Sequence, residues 1–189
     1  NTKTGKVGSF SSSNGLGNGG VWSTIETQDG KIWTGTNNGI NIYDPETKTI
    51  KYLSRQNGLL VNSAAYLFED HDGKIWIGSN GRITQIFDPK SNTFQIPRIR
   101  ENRQEIGTTI LYQDPDKSFW LGTNNGELYL LDLEKKVIKK LMNVPASWDK
   151  NYVNSMQSDH KGQLWITSSA GAIIISADRK SMKFLTEDQ

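Results

Sequence analysis

The sequence predicts an all-β fold in which one four-stranded antiparallel unit is repeated along the chain, and two observations predict it. The first is composition: 34% of the 189 residues are hydrophobic, with 18 glycines and 6 tryptophans, which is typical of turn-rich β proteins. The second is a period, because Trp33, Trp76, Trp120 and Trp165 recur at intervals of 43 to 45 residues within the same local pattern. A period of this length indicates a repeat architecture.

The second unit shows how the strands of one repeat are identified. Its four short β-like runs are residues 64–69, 75–78, 83–87 and 93–96. The turns between these runs carry Asp72 and Gly73, Asn80 and Gly81, and Asp88 and Pro89. Such residues favour the positive or fixed φ angles of tight hairpins. Four runs joined in this way predict an antiparallel meander.

A meander of this size cannot bury its faces alone, so neighbouring units must stack on one another, and the sequence therefore predicts β-propeller blades. We expect blades over residues 21–54, 62–99, 106–142 and 151–186. Residues 1–20 are interpreted as the outer strand of a preceding blade plus a linker. The four repeated tryptophans are interpreted as structural core between blades rather than as a ligand-stacking surface.

The two ends of the chain predict a fragment of a larger propeller. Residues 4–10 precede an Asn-Gly-Leu segment just as residues 47–53 do, whereas residues 183–185 already supply a fourth strand to the last unit. One outer strand is therefore surplus. Because uncovered blade faces and strand edges favour pairing with a second copy, we expect self-association into a two-chain ring of about eight blades.

The repeated pattern resembles a known family. Each unit approximates Asn-x-Val, then Asp-x-x-Gly-x-Leu-Trp-Ile-Gly-Thr, then Asn-Gly-Ile and a Tyr-Asp-Pro turn. This string is similar to the two-component regulator propeller repeat, found in the sensor regions of Bacteroides-type hybrid histidine kinases. The residues of the last unit that fit are Asn151, Val153, Met156, Asp159, Gly162, Leu164, Trp165 and Ile166. Departures include Thr167 in place of the usual glycine and Asp132-Leu133 in place of Asp-Pro.

The resemblance implies a sensor that lies outside the inner membrane, in the periplasm, and that reports on polysaccharide fragments to a kinase elsewhere in the protein. Charge and hydropathy also limit the classes of binding partner that we expect. The net charge is only +2 and the basic residues are spread along the chain, so we expect no nucleic-acid partner. No apolar run approaches the ~20 residues that cross a bilayer, so we expect no membrane contact by this segment.

The sequence contains few candidate metal-binding or catalytic residues. His71 and His160 occupy the same turn in two different units, beside Asp70, Asp72 and Asp159, and a metal site is one interpretation. We favour turn chemistry, because Asp-x-x-Gly is a turn pattern, and we expect neither metal nor cofactor. With no nucleophile or phosphate-loop motif, we expect a non-enzyme. A streptogramin-lyase-like enzyme is a further alternative.

Ligand binding is instead expected at the edge formed by the loops before the first strand and between the second and third strands of each blade. Two tryptophans depart from the repeat there: Trp22 stands where other units carry Ala65, Thr109 and Asn154, and Trp148 has no counterpart. Such aromatic rings can stack on sugars. The cationic side chains available for acidic groups are Arg55, Arg82 and Arg103. The leading hypothesis is an oligosaccharide sensor, and the alternative is a non-catalytic scaffold for protein partners.

Overall fold

The fold is all-β and consists of four consecutive four-stranded antiparallel sheets, each built from strands that follow one another in the chain. These sheets confirm the predicted propeller-blade architecture. The computed structural model describes residues 9, 11, 15–17, 20–79, 82–97, 99–101, 104–133, 137–143, 153–168 and 171–185. Most of residues 4–10, where an outer strand was expected, lie outside the described residues.

The strands of each blade run in the order a, b, c, d. Blade 1 contains β1 (Val21–Glu26), β2 (Ile32–Thr36), β3 (Gly39–Asp44) and β4 (Thr49–Leu53). Blade 2 contains β5 (Tyr66–Glu69), β6 (Ile75–Ser79), β7 (Arg82–Asp88) and β8 (Thr93–Gln95). Between these blades, a 3₁₀ turn spans Arg55–Asn57. A hairpin of two short strands, β9 (Arg100–Glu101) and β10 (Gln104–Glu105), follows blade 2 and was not predicted.

The two remaining blades have the same plan. Blade 3 contains β11 (Thr108–Gln113), β12 (Phe119–Thr123), β13 (Glu127–Asp132) and β14 (Val137–Asn143). Blade 4 contains β15 (Val153–Ser158), β16 (Leu164–Ser168), β17 (Gly171–Ile175) and β18 (Met182–Leu185). The chain divides into two compact units, of which the first comprises residues 1–80 and 84–95 and the second comprises residues 81–83 and 96–189.

Each blade presents two faces, because side chains alternate along a strand. The tryptophan face of blade 1 is defined by register-paired residues: Ile25, Trp33, Gly35, Ile40, Ile42, Lys51 and Leu53. Its opposite face carries Thr24, Ile32, Thr34, Asn41, Tyr43 and Ile50. The same two sets can be assigned in blades 3 and 4 from the strand pairing, and they decide which residues meet a neighbouring blade.

In the first unit, the tryptophan face of blade 1 packs against the opposite face of blade 2. Trp33, Ile40 and Ile42 share one buried cluster with Leu67 and Ile75 of the next blade. The centroids of the Trp33 and Phe87 rings lie 5.9 Å apart in a tilted arrangement, a geometry that aromatic pairs prefer. The repeated tryptophan of blade 1 therefore lies in the core between two sheets.

The second unit repeats this arrangement. Trp120 and Leu128 of blade 3 belong to one buried cluster with Val153, Leu164 and Ile166 of blade 4. In both units, alternating residues of one sheet meet alternating residues of the next, and this contact buries the apolar surface that one four-stranded sheet could not bury alone.

A glycine two residues after the tryptophan allows the blades to approach closely. A Cβ built on Gly35 would lie 2.1 Å from the carbonyl oxygen of Ala64 at the start of blade 2. A Cβ on Gly122 would lie 2.7 Å from the Cβ of Val153 in blade 4. Real atoms do not approach so closely, so the blade-to-blade distance requires glycine at this position.

We expect Gly35→Ala and Gly122→Ala each to lower the free energy of unfolding by about 1–3 kcal/mol or more, as overpacking of a close contact does. Urea unfolding followed by tryptophan fluorescence measures the change. Gly107→Ala is the matched control, because a Cβ there meets only Asn124 Oδ1 at 3.5 Å, an ordinary contact. Equal destabilisation by all three substitutions would contradict the packing role of Gly35 and Gly122.

Candidate ligand-binding surfaces

The acidic residues of the repeat are occupied in holding the tryptophans. The indole Nε1 of Trp76 donates to Asp70 Oδ2 at 2.8 Å, that of Trp120 to Asp114 Oδ2 at 2.6 Å, and that of Trp165 to Asp159 Oδ2 at 3.1 Å. In each pair the aspartate precedes the tryptophan by six residues. The hydrogen bond from Trp165 is the largest influence on Asp159 and lowers the pKa of that carboxyl.

The other oxygen of the same carboxylate closes the turn between strands a and b. Asp70 Oδ1 accepts from the backbone N–H groups of Asp72 and Lys74 at 3.0 and 2.9 Å. Gly73 then adopts φ of 79°, which glycine tolerates without strain. One aspartate thus organises both the turn and the indole, which explains the Asp-x-x-Gly pattern without a metal or a catalytic role.

Blade 1 departs from this pattern. Thr27 occupies the position of the aspartate, and its Oγ1 lies 2.6 Å from Asp29 Oδ1 and 3.0 Å from the carbonyl oxygen of Lys31. The turn is therefore closed by a hydroxyl group instead of a carboxylate. Trp33 is nevertheless buried, with 3% of its surface exposed, because blade 2 covers it.

A charged residue in blade 4 also has a structural partner. Arg179 Nε donates to Asp114 Oδ2 at 3.0 Å, and this carboxylate is the one that anchors Trp120 in blade 3. The bond to Asp114 is the main reason that the pKa of Arg179 is raised. The ion pair links the two blades of the second unit at the same point as the indole.

Trp22 differs from the repeated tryptophans because its ring is exposed. The strand pairing of β1 with β2 shifts between Val21 and Ser23, so Trp22 occupies a β-bulge, a feature that redirects a side chain. With 64% of its surface exposed, the indole is held by a hydrogen bond of 2.6 Å from Nε1 to Asn37 Oδ1 in the turn between β2 and β3. Trp22 is thus a fixed aromatic surface on the expected loop edge.

The other sequence-predicted site residues are placed as follows. Arg55 is exposed, and its guanidinium donates to the carbonyl oxygen of Leu60 at 3.1 Å, so it closes its own linker. Arg82 is the first residue of β7, but its side chain lies outside the described residues. Trp148 and Arg103 lie outside them entirely. Among the predicted ligand-binding side chains, the described part of the chain therefore includes those of Trp22 and Arg55.

A groove that sequence reasoning missed lies on the other edge of the first unit. It has a volume of about 670 Å³ and is formed by the a–b turns of blades 1 and 2 and the c–d turn of blade 2. Its floor includes Trp33, and its polar walls include Gln28, Glu69, His71 and Lys90. The charged turn residues that line it were interpreted from sequence as turn chemistry, and only their juxtaposition across two blades creates the groove.

Glu69 is a carboxyl of this groove whose pKa is raised. Burial is the largest influence and raises its pKa, with smaller contributions from the charges of Asp29 and Asp70. Its Oε2 accepts from the backbone N–H of Gln28 at 2.8 Å, and Gln28 Nε2 donates to the carbonyl oxygen of Asp70 at 3.1 Å. These bonds join blades 1 and 2 beside the groove.

The described residues contain neither a cluster of metal ligands nor a membrane-spanning helix. Across the described part of the chain, no group of three or more His, Cys, Asp or Glu side chains has the arrangement of a metal site. Within those residues, no helix is both long and apolar enough to cross a bilayer.

Comparison with known proteins supports the resemblance inferred from the sequence. Residues 58–81 match the family model described as two component regulator propeller. The matched segment runs from Gly58 in the linker through strands a and b of blade 2, including the Asp-x-x-Gly turn and Trp76. The predicted resemblance is therefore confirmed. A search of curated proteins found no match.

Solved structures show the same fold at low sequence identity. The extracellular domain of BT3049 from B. thetaiotaomicron, assigned to a hybrid two component system, superposes with a TM-score of 0.69 at 19% identity over 91% of this chain and 22% of that one. The corresponding domain of BT4673 from the same organism gives a TM-score of 0.55 at 15% identity, over 90% of this chain and 30% of that one. The chain thus spans less than a third of either domain.

A lyase has the same fold. Virginiamycin B lyase from Staphylococcus aureus, solved with quinupristin, gives a TM-score of 0.68 at 16% identity over 92% of this chain and 58% of that one. Identities this low establish the shared blade fold and leave function to the residues of the site.

We expect Asp70→Ala to lower the free energy of unfolding by about 3 kcal/mol, because it removes a charged hydrogen-bond acceptor and leaves a buried indole N–H unpaired. Thermal unfolding by circular dichroism measures the effect. Asp72→Ala is the control, since Asp72 is exposed in the same turn. A loss for Asp72→Ala as large as that for Asp70→Ala would contradict the anchoring role of Asp70.

Proposed function

We propose that this chain is a ligand-sensing, extracytoplasmic portion of a hybrid two-component signalling regulator, and that it binds oligosaccharides without catalysing a reaction on them. The observation that carries the proposal is the exposed indole of Trp22, held against Asn37 on a loop edge. The fold shared with extracellular domains of hybrid two component systems supports the location and the signalling role.

An exposed tryptophan is suited to a sugar ring. The flat indole surface can cover the C–H face of a pyranose, while neighbouring polar groups bond the hydroxyls. Because Asn37 already fixes the ring, little side-chain entropy remains to be lost on binding, and this preorganisation favours affinity. Asn37 and the exposed Asn38 supply amide groups beside the ring, which suit neutral hydroxyl groups.

Binding rather than catalysis fits the state of the ionisable groups. Asp70, Asp114 and Asp159 are occupied by indole and turn hydrogen bonds, so they are poor candidates for a general acid or base. His71 and His160 both lie in a–b turns and are exposed. A lyase mechanism would require such groups to converge on a substrate.

Signalling would follow from differential affinity. A ligand that binds one arrangement of the propeller more tightly than another shifts the population toward it, and the shift is then passed to the kinase part of the full protein. This step requires the ligand to contact rigid elements, and Trp22 belongs to strand β1 instead of a long loop.

The test is a panel of neutral and acidic oligosaccharides titrated against the chain by calorimetry. We expect Trp22→Ala to weaken the binding of the best ligand about tenfold or more, because an aromatic contact and its buried area contribute over 1 kcal/mol. Trp22→Phe should retain part of the affinity, and Asn37→Ala should lose less than Trp22→Ala. Val137→Ala, an exposed apolar residue of the outer strand β14, is the control.

Two outcomes would contradict the proposal. Absence of binding by every oligosaccharide of the panel would favour a scaffold for protein partners. Turnover of a streptogramin, lost on substitution of His71 or His160, would favour a lyase.

A further inference from the structure

The groove formed by the turns of blades 1 and 2 contains a buried indole N–H without a protein partner. Trp33 lines this groove and is 3% exposed. Its Nε1 has no hydrogen-bond acceptor among the described residues. The unpaired polar atoms that are fully enclosed do not include it, so a small group can reach Nε1 from the groove. Because a buried indole N–H ordinarily has a partner, this donor is available to a ligand.

The acceptor is missing because blade 1 lacks the aspartate of the repeat. In blades 2, 3 and 4 the aspartate six residues before the tryptophan accepts from the indole. The strand pairing gives Trp33 the same position in its blade as the later tryptophans have in theirs. Thr27 replaces the aspartate, and its Oγ1 bonds Asp29 and the carbonyl oxygen of Lys31 instead. Blade 1 therefore keeps the donor of the repeat and omits the acceptor.

Blade 2 supplies an acceptor to the same groove. Glu69 Oε2 accepts from the backbone N–H of Gln28 at 2.8 Å, whereas Oε1 has no donor among the described residues. A Cβ on Gly73 would lie 3.8 Å from Oε1, so this oxygen lies beside a residue that lines the groove. Burial raises the pKa of Glu69, which indicates that water solvates the carboxylate poorly. A donor on a ligand would replace the missing solvation.

The charges of the groove favour a neutral ligand. Both signs line it, in the side chains of Asp29, Glu69, His71, Asp72, Lys74, Asp88 and Lys90. A ligand carboxylate at Trp33 would lie close to Asp29, which already pairs with Lys31, and like charges repel. A hydroxyl group is uncharged and both accepts and donates. It can therefore satisfy the indole N–H on one side and a carboxylate oxygen on the other.

We propose that this groove binds a neutral, hydroxyl-bearing ligand, a sugar or polyol, whose hydroxyl groups accept from Trp33 Nε1 and donate to Glu69 Oε1. The ligand then takes the place of the aspartate that blades 2, 3 and 4 carry themselves. The groove volume of about 670 Å³ is within the usual range of small-molecule sites. The groove lies on the other edge of the blades from Trp22 and does not include that residue, so binding here does not depend on binding at Trp22.

Thr27→Asp tests the vacant acceptor position. The substitution returns the aspartate of the repeat to blade 1, where it should bond the Trp33 N–H and fill the place of the ligand hydroxyl. We expect the variant to unfold at the same or a higher temperature than the wild-type chain and to bind the ligand about tenfold or more weakly. Thr49→Asp is the matched control, because Thr49 is exposed in β4 and lies outside the groove.

Glu69→Gln is the second variant, and it keeps the proposal testable should Thr27→Asp fail to fold. The glutamine carbonyl can still accept from Gln28 N, but its NH₂ group cannot accept from a ligand hydroxyl. We expect binding to weaken about tenfold, because a hydrogen bond to a charged group is lost. Circular dichroism checks the fold of each variant.

Binding is measured by proton–nitrogen NMR of the indole N–H signals, with the Trp33 signal assigned from Trp33→Phe. The probes are methyl glucoside, maltose and cellobiose, and glucuronate is the acidic counterpart. We expect the neutral sugars to shift the Trp33 signal and glucuronate to shift it less at the same concentration. Trp22→Ala should leave the titration of the Trp33 signal unchanged, so loss of binding at Trp22 and loss of binding in the groove are read separately.

Three outcomes overturn the proposal. The first is that no neutral probe shifts the Trp33 signal, which would leave water as the only partner of this N–H. The second is that the shift persists with unchanged affinity in folded Thr27→Asp or Glu69→Gln. The third is that the Trp33 N–H of the free chain exchanges with solvent as slowly as those of Trp76 and Trp120, which would show that the protein itself supplies an acceptor.

Discussion

The stacking of one sheet's tryptophan face on the opposite face of the next sheet is the contact on which the rest of the structure depends. A four-stranded meander has too little interior to be stable alone. In the first unit Trp33 lies between two sheets, and in the second Trp120 does so. The glycine after each tryptophan sets the distance, and in blades 2, 3 and 4 an aspartate six residues before the tryptophan sets the ring orientation.

Because the repeated aspartates bond the tryptophans, they limit which side chains are available to bind a ligand. The carboxylates that a sequence search would consider first, Asp70, Asp114 and Asp159, already bond an indole, and Asp70 and Asp159 also bond turn amides. Groups that remain for ligands therefore lie off the repeat pattern. Trp22 projects from a bulge, and Glu69 faces a groove between turns. Both belong to the first unit, but they lie on different edges of its blades.

The blades also differ in the side chains that their tryptophan faces present. Blades 1 and 3 have bulky apolar residues and a glycine on the tryptophan face, whereas blade 4 has Gln157, Thr167 and Ala172 at the same register positions. The repeat is therefore not uniform in its capacity to bind a neighbour. Thr167 departs from the family pattern at the register position of Gly35 and Gly122. At those two glycines a Cβ would collide with the neighbouring sheet, so the side chain of Thr167 does not permit an equally close approach.

The sequence by itself determined the period, the order of strands within a blade and the turn chemistry, because these depend on residues that are close together in the chain. Trp22 could likewise be singled out as an aromatic outside the pattern. Tertiary structure alone decided that Asn37 fixes the Trp22 ring and that Gln28 and Glu69 meet across a groove. These relations depend on strand register, on a bulge and on contacts between sheets that are about 40 residues apart in the chain. A local sequence pattern does not specify which residues meet across such a separation.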